Sequence, residues 1–358
     1  MTSEVVNYIR CPVKCSAITG PVFAQHNRTG HVECQDRLSS IIARLPPDIP
    51  IREPVIANRE DVLRVHHPGY LKWLERQCVR NVDYSYLDEF GCSGGYFAQN
   101  TFIAGFIDPN TYVNPLSYEV ALYAAGSSIA AMERALDGEN CFALVRPPGH
   151  HAAADWAMGF CLLNNTAIAA AKALTQVDRV AIIDWDDHHG NGTQDIFFGD
   201  DRVLYCSTHE EDVFPHTGSF EETGKGAGQG YTVNAPLQRG STIGDYHAIF
   251  SEIILPVIER QKPDCVIISA GQDILSDDPV GNMALAPADV GYLAGLVLDT
   301  LDLPLALVLE GGYGPSQPEA VASVFSALKG ARVHPEIPHP LQNTRSRLAL
   351  LKKIHHLT

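Results

Sequence analysis

Residues 180–193, Val-Ala-Ile-Ile-Asp-Trp-Asp-Asp-His-His-Gly-Asn-Gly-Thr, pass from four apolar positions into three aspartates and two histidines. Placing such groups at a core edge is costly unless something compensates their charge. Asp184, Asp186 and His188 alternate, so an extended backbone puts them on one side, and the last two converge where the strand ends. Carboxylate oxygen with imidazole nitrogen is a donor set that suits zinc. Two protein ligands do not close a zinc site, so this reading requires a third from elsewhere. Taken alone, the triplet is equally a solvated turn with ordinary capping residues.

Asp273 supplies the missing donor. It follows the apolar run 265–269 within Ala-Gly-Gln-Asp, and with Asp186 and His188 it makes an Asp/His/Asp set that leaves room for water and substrate. Two further stretches sit at the ends of apolar runs. Residues 141–145 lead into Arg-Pro-Pro-Gly-His-His-Ala, where two prolines and a glycine fix the backbone beside His150 and His151. Rigidly held imidazoles suit general acid/base work near neutral pH. Residues 305–309 end in Glu-Gly-Gly-Tyr-Gly, whose glycines permit close backbone approach and whose Tyr313 hydroxyl can donate to a developing oxyanion.

These groups need elements to carry them. Apolar runs alternate with helical patterns along the chain, which predicts an α/β architecture on a mainly parallel sheet, with active-site residues beyond the carboxyl ends of the strands. Residues 21–25 read as a first strand, 36–45 and 59–79 as helices, the latter interrupted by a turn at His66-His67-Pro68. Helices are expected over 117–136, 163–174 and 241–260, a strand over 202–207 and a loop over 208–230. Residues 80–114 sustain no period and are expected to form a long loop, either over the mouth of a site or as a surface excursion with a packed aromatic patch.

Composition bounds the rest. No linker divides the 358 residues, so one domain is expected, with its core over about 22–328 and a C-terminal extension over 329–358. The hydrophobic content of 45% suffices for a core, no apolar run reaches the length of a membrane span, and the first residues show no secretory pattern, so a cytoplasmic location is expected. Nine scattered cysteines, several inside apolar runs (Cys141, Cys206, Cys265), read as reduced thiols. The formal charge of −16 argues against direct nucleic-acid binding and favours a cationic substrate or partner.

Taken together, Arg-Pro-Pro-Gly-His-His, Asp-Trp-Asp-Asp-His-His-Gly-Asn-Gly-Thr, Ser-Ala-Gly-Gln-Asp and Leu-Glu-Gly-Gly-Tyr-Gly resemble the zinc-dependent histone deacetylase family, in order, over about residues 26–328. The likeness is greatest to its class II and bacterial amidohydrolase members, acetylpolyamine amidohydrolases included. The resemblance implies the arginase/deacetylase fold, a single domain around an eight-stranded sheet. It implies Asp186, His188 and Asp273 as zinc ligands and His150 and His151 as the tandem catalytic histidines. Asp184 matches the partner of the first histidine, Asn191 the partner of the second, and Tyr313 the catalytic tyrosine. Gly159, Phe160, Phe214 and Val280 match the walls of an acyl-lysine tunnel. Structural potassium would sit at Asp184, Asp186, His188, Ser207 and Thr208, and at Phe197, Asp200, Val203 and Tyr231.

Two positions depart from the family pattern: Asp187 and Gln272 stand where apolar residues are usual beside the ligands. Gly190 and Leu275 stand where arginase-like enzymes place extra carboxylates, which argues against a second catalytic metal. The implied substrate is an acyl-lysine in a protein or peptide. An acetylated polyamine is the alternative, for which Asp88 and Glu89 of the mouth loop are candidate acids. A non-catalytic binder of acylated amines is the remote alternative. Homo-oligomerisation stays open.

Overall fold

The computed structural model describes residues 14–80 and 105–357. Eight strands, all parallel, form one sheet: β1 (Lys14–Ile18), β2 (Ile51–Arg52), β3 (Glu139–Ala143), β4 (Val180–Asp184), β5 (Val203–Glu210), β6 (Thr232–Leu237), β7 (Cys265–Ala270) and β8 (Leu305–Leu309). Their order is β2-β1-β3-β8-β7-β4-β5-β6. The helices are α1 (Asp36–Arg44), α2 (Arg59–Val62), α3 (Pro68–Arg80), α4 (Ser117–Leu136), α5 (Asn165–Ala173), α6 (Asn191–Phe197), α7 (Ile243–Ile249), α8 (Leu255–Gln261), α9 (Pro287–Leu301), α10 (Gln317–Leu328) and α11 (Gln342–Ile354). This is a single α/β domain of the arginase/deacetylase fold. The central strands are buried along their whole length, as a parallel sheet covered on both faces requires.

The register positions the site. Ala143, Val308, Ser269 and Asp184 pair across β3, β8, β7 and β4 in one row. The four segments that leave this row therefore start from one level of the sheet. They carry His150 and His151, Tyr313, Asp273, and Asp186 with His188.

Several elements differ from expectation. Residues 21–25 form a 3-10 helix instead of the first strand, with Pro21 in its first turn, where a fixed φ and a missing N–H are tolerated. The first strand is β1, whose Lys-Cys-Ser-Ala-Ile sequence has little β propensity and is held by β2 and β3 on either side. β6 extends beyond the expected 208–230 loop; Asn234 and Pro236 disguise it, and an edge strand tolerates that proline. The expected 241–260 helix is α7 and α8 separated by a π-helical turn over Phe250–Ile254, just before Pro256. A proline cannot accept a regular ladder behind it, and the wider turn absorbs the mismatch. The turn at His66-His67-Pro68 separates α2 from α3 as expected. Of the expected mouth loop, residues 81–104, with Asp88 and Glu89, lie outside the described residues.

Candidate active site

A cavity of roughly 130 Å³ opens at the carboxyl end of this row, lined by Asn110, Pro148, His150, His151, Gly159, Phe160, Asp186, His188, Phe214, Asp273, Val280, Gly311 and Tyr313. At its floor, donor atoms of Asp186, His188 and Asp273 lie within 4.8 Å of one another. His188 Nδ1 is 3.3 Å from Asp186 Oδ1 and 3.2 Å from Asp273 Oδ2. Zinc bonds of about 2.0–2.1 Å at tetrahedral angles separate neighbouring donors by about 3.3 Å, the separation that His188 keeps from each of the two carboxylates. Burial and the adjacent Asp186 charge push the Asp273 carboxyl up to about 7, a repulsion that a cation between the two would relieve. The residues fit a zinc ion. Gly190 and Leu275 do not extend this set: a side chain at Gly190 would collide with Asp184 Oδ2, and Leu275 is buried in the core.

The two histidines occupy different electrostatic environments. His150 Nδ1 bonds Asp184 Oδ2 at 3.1 Å, and Tyr205 donates to the same oxygen. Burial works against a charge on His150, but Asp186 and Asp184 outweigh it and raise its pKa to about 10. His151 Nδ1 lies 2.8 Å from Asn191 Oδ1, while the Asn191 amide nitrogen donates to Met158 Sδ. That orientation makes Nδ1 the protonated nitrogen of His151 and leaves the Nε2 lone pair free. Burial first, then the neighbouring His150 and His188 charges, hold His151 well below its usual value. The two imidazoles thus differ in partner, a carboxylate for His150 and an amide oxygen for His151, and their pKa values are driven in opposite directions.

The loop after β8 is held from several sides. Gly311 N–H donates to Asp186 Oδ2 at 2.8 Å, and an added Cβ there would stand 2.2 Å from Asp273 Oδ2, so the position admits only glycine. Arg37 donates to the carbonyls of Gly312 (2.7 Å) and Glu310 (2.6 Å), and its guanidinium lies 4.5 Å from the Tyr313 ring centre. Glu33 pairs with both Arg37 and the buried Arg146. Burial raises the Tyr313 phenol well above its usual range, which keeps it a hydrogen-bond donor. Glu310 accepts from the backbone of Gly149 and His150 and from Thr166 and Ser269, tying the histidine turn to β7 and β8.

The structure brings all the expected tunnel residues to this cavity. Phe160 adopts a left-handed backbone with φ 70°, its N–H held by Thr111 Oγ1 at 2.9 Å, and His31 packs edge-on to its ring. Phe214 faces His151 with ring centres 5.1 Å apart. Asp184 stays one layer beneath the metal donors, on His150. The two departures turn away from the cavity. Asp187 is buried with its Oδ2 on Asn282 N–H, and Gln272 donates to Ala270 O. Around the first proposed potassium position, Ser207 Oγ bonds His209 and Thr208 Oγ1 is buried without a side-chain partner. Around the second, Arg202 engages the Asp200 carboxylate, and the Phe197 and Tyr231 carbonyls accept from Asp200 and Tyr205 N–H groups.

Sequence reasoning missed Arg37, Glu33, Glu310 and Asn110. A lone arginine on a helix resembles a solvated surface residue, and no spacing announces that Arg37 turns inward to the Tyr313 loop. Glu310 carried a weak signal, an acid closing a wholly apolar strand.

Comparison with known proteins identifies the family. Residues 31–328 match the histone deacetylase domain. A probable deacetylase of Archaeoglobus fulgidus is 36% identical over 95% of this chain and 95% of its own. A histone deacetylase-like amidohydrolase of Pseudomonas aeruginosa is 36% identical over 85% of this chain and 78% of its own. Among solved structures, the crystal structure of the HDA15 HD domain superposes with a TM-score of 0.84 at 29% identity, covering 96% of this chain and 95% of that one. With this fold, these strand-end residues and these relatives, the chain belongs to the histone deacetylase family.

Proposed function

We propose that the protein is a zinc-dependent amidohydrolase that removes acetyl or another short acyl group from the side-chain amine of acyl-lysine in proteins or peptides. The observation that carries this reading is the placement of two adjacent histidines, His150 bonded to the Asp184 carboxylate and His151 to the Asn191 amide oxygen, directly beside the Asp186/His188/Asp273 donor set. Two titratable groups driven apart by their surroundings divide base and electrostatic work between them.

Asp186, His188 and Asp273 would hold the zinc, which when bound would supply Lewis acidity toward the acyl carbonyl and lower the pKa of a water molecule. His151, its Nδ1–H fixed on Asn191, takes the water proton at Nε2 and returns it to the departing amine. His150, charged against Asp184, stabilises negative charge as it develops. Tyr313 donates its hydroxyl to the carbonyl oxygen, a contribution of about 3 to 4 kcal/mol for donors of this kind. Gly159, Phe160, Phe214 and Val280 form the slot for the aliphatic stem of lysine. Potassium held near Ser207 and Thr208, and near Phe197, Asp200, Val203 and Tyr231, would be structural.

Among the described residues, Asp186 and Asp273 are the only carboxylates lining the cavity, and both belong to the metal donor set. A polyamine has a second ammonium that needs its own acid, a role for which Asp88 and Glu89 are the candidates, so substrate choice is decided by comparing the two substrates directly. The test is acetate release from matched acetyl-lysine peptide and N-acetylputrescine, before and after chelation. Chelator-sensitive preference for the peptide is expected. Preference for the diamine would transfer the activity to polyamines, and full turnover after complete removal of metal would sink the zinc reading.

A further inference from the structure

Asp278 lies outside the donor set, in the segment after Asp273, with 8% of its surface exposed. Its carboxylate accepts four backbone N–H groups from two loops. Oδ1 takes Val280 at 2.8 Å and Gly281 at 3.1 Å; Oδ2 takes Tyr313 at 2.5 Å and Gly314 at 2.9 Å. Val280 and Tyr313 both line the cavity. Hydrogen bonds to a charged acceptor are short and strong, and four converging on one carboxylate lock the two loops together. The other holds on the Tyr313 loop act elsewhere: Asp186 on Gly311 N–H, and Arg37 on the Glu310 and Gly312 carbonyls and the Tyr313 ring. Asp278 holds the backbone amide of Tyr313 itself.

We propose that Asp278 is a positioning residue that sets the Tyr313 hydroxyl over the reacting carbonyl and, through the same carboxylate, fixes the Val280 wall relative to it. The inference rests on the proposed role of Tyr313 as oxyanion donor. It predicts that the effect of Asp278 passes through Tyr313. A residue of general structural importance would instead act additively with it.

The experiment is a double-mutant cycle on the zinc-loaded full chain, with kcat and KM for an acetyl-lysine peptide, zinc content and thermal midpoint measured for each variant. Asp278→Asn keeps the shape but turns an amine toward one pair of N–H groups. It is expected to lower kcat about 10- to 100-fold, with KM within about threefold, because displacement of a catalytic group by about 1 Å has costs of that order. In a Tyr313→Phe background the same change is expected to cost less than about threefold, the signature of coupled sites. Equal losses in both backgrounds, or an unchanged kcat in D278N, would overturn the proposal. If D278N does not remain folded, Asp278→Glu, which keeps the charge and shifts it, is taken through the same cycle. Asp277→Asn is the control: among the described residues its carboxylate holds only Ser316, and wild-type kcat is expected. A matching loss there would reduce the effect to general loop sensitivity and overturn the assignment. Wild-type kcat in Y313F would remove the donor role of Tyr313 and the inference with it, whereas a crippled Y313F beside an active D278N would sink the inference alone.

Discussion

At the scale of single residues, the site depends as much on what is absent as on what is present. Gly311 sits where any Cβ would press on both metal-facing carboxylates, 2.2 Å from Asp273 Oδ2 and 2.7 Å from Asp186 Oδ2. Gly311→Ala is therefore expected to weaken zinc retention by about tenfold or more, the order found when the surroundings of metal ligands are disturbed. Metal content after dialysis against a graded chelator checks this; retention equal to wild type would show that the loop yields without moving the carboxylates. The candidate site residues were legible because Asp-x-His, His-His and Gly-Gly-Tyr are uncommon combinations at the ends of apolar runs. Asp278, Arg37 and Glu310 were not, since their importance lies in which distant backbone groups they meet. Asp187 shows the converse. Beside two ligands in sequence, it points away from the cavity, and its carboxylate, which burial and Asp273 push up to about 8, receives the backbone of Asn282.

At the scale of elements, the C-terminal extension completes the sheet. β6 is an edge strand, and an uncovered edge invites pairing with other chains. α11 packs against β6, and Arg347 reaches both the Pro236 carbonyl and the Glu211 carboxylate. The attachment passes through the start of α7. Asp245 accepts from Thr242 N–H at 2.9 Å in a capping box, and also from Leu341 N–H and Thr344 Oγ1 at 2.7 Å each. Asp245→Ala would leave four donors, the Thr242 hydroxyl included, without their acceptor, and a loss of about 3 kcal/mol is expected. Urea unfolding measures it; a loss under about 1 kcal/mol would mean that water replaces the carboxylate. α7 was readable from its Thr-x-x-Asp cap, whereas the docking of α11 upon it was not, because that contact joins segments about a hundred residues apart.

At the scale of the whole molecule, buried neutral histidines tie stability to pH. Burial lowers His66 to about 4, His209 to about 4 and His26 to about 3 from an ordinary 6.5. His66 Nε2 accepts from Asn164 N–H, the residue that caps α5 and also donates to Ala152 O beside the catalytic turn. Between about pH 6.5 and 4 the unfolded chain takes up protons that the native state refuses, so stability falls as pH falls and each such group stops contributing below its folded pKa. Each contributes about 1.4 kcal/mol per pH unit across that window. Urea midpoints measured from pH 7 to 4.5 are expected to drop steeply, and His66→Gln to flatten the slope by about one proton. An unchanged slope in the variant would show that His66 protonates in the folded protein. Among the described residues no helix is long and apolar enough to cross a membrane.

The sequence by itself determined the candidate groups and their address. Residue types decide which groups can bind a metal, carry a proton or donate to an oxyanion, and alternating apolar runs decide that those groups stand at strand ends of an α/β sheet. It also determined the family. Tertiary structure alone decided that β3, β8, β7 and β4 lie side by side, since strand order follows from which faces pack together, and no local pattern encodes it. It alone decided the opposite pKa shifts of His150 and His151, which share a backbone turn but meet Asp184 and Asn191 respectively. Protonation is a property of surroundings, and the surroundings exist only once the chain has folded.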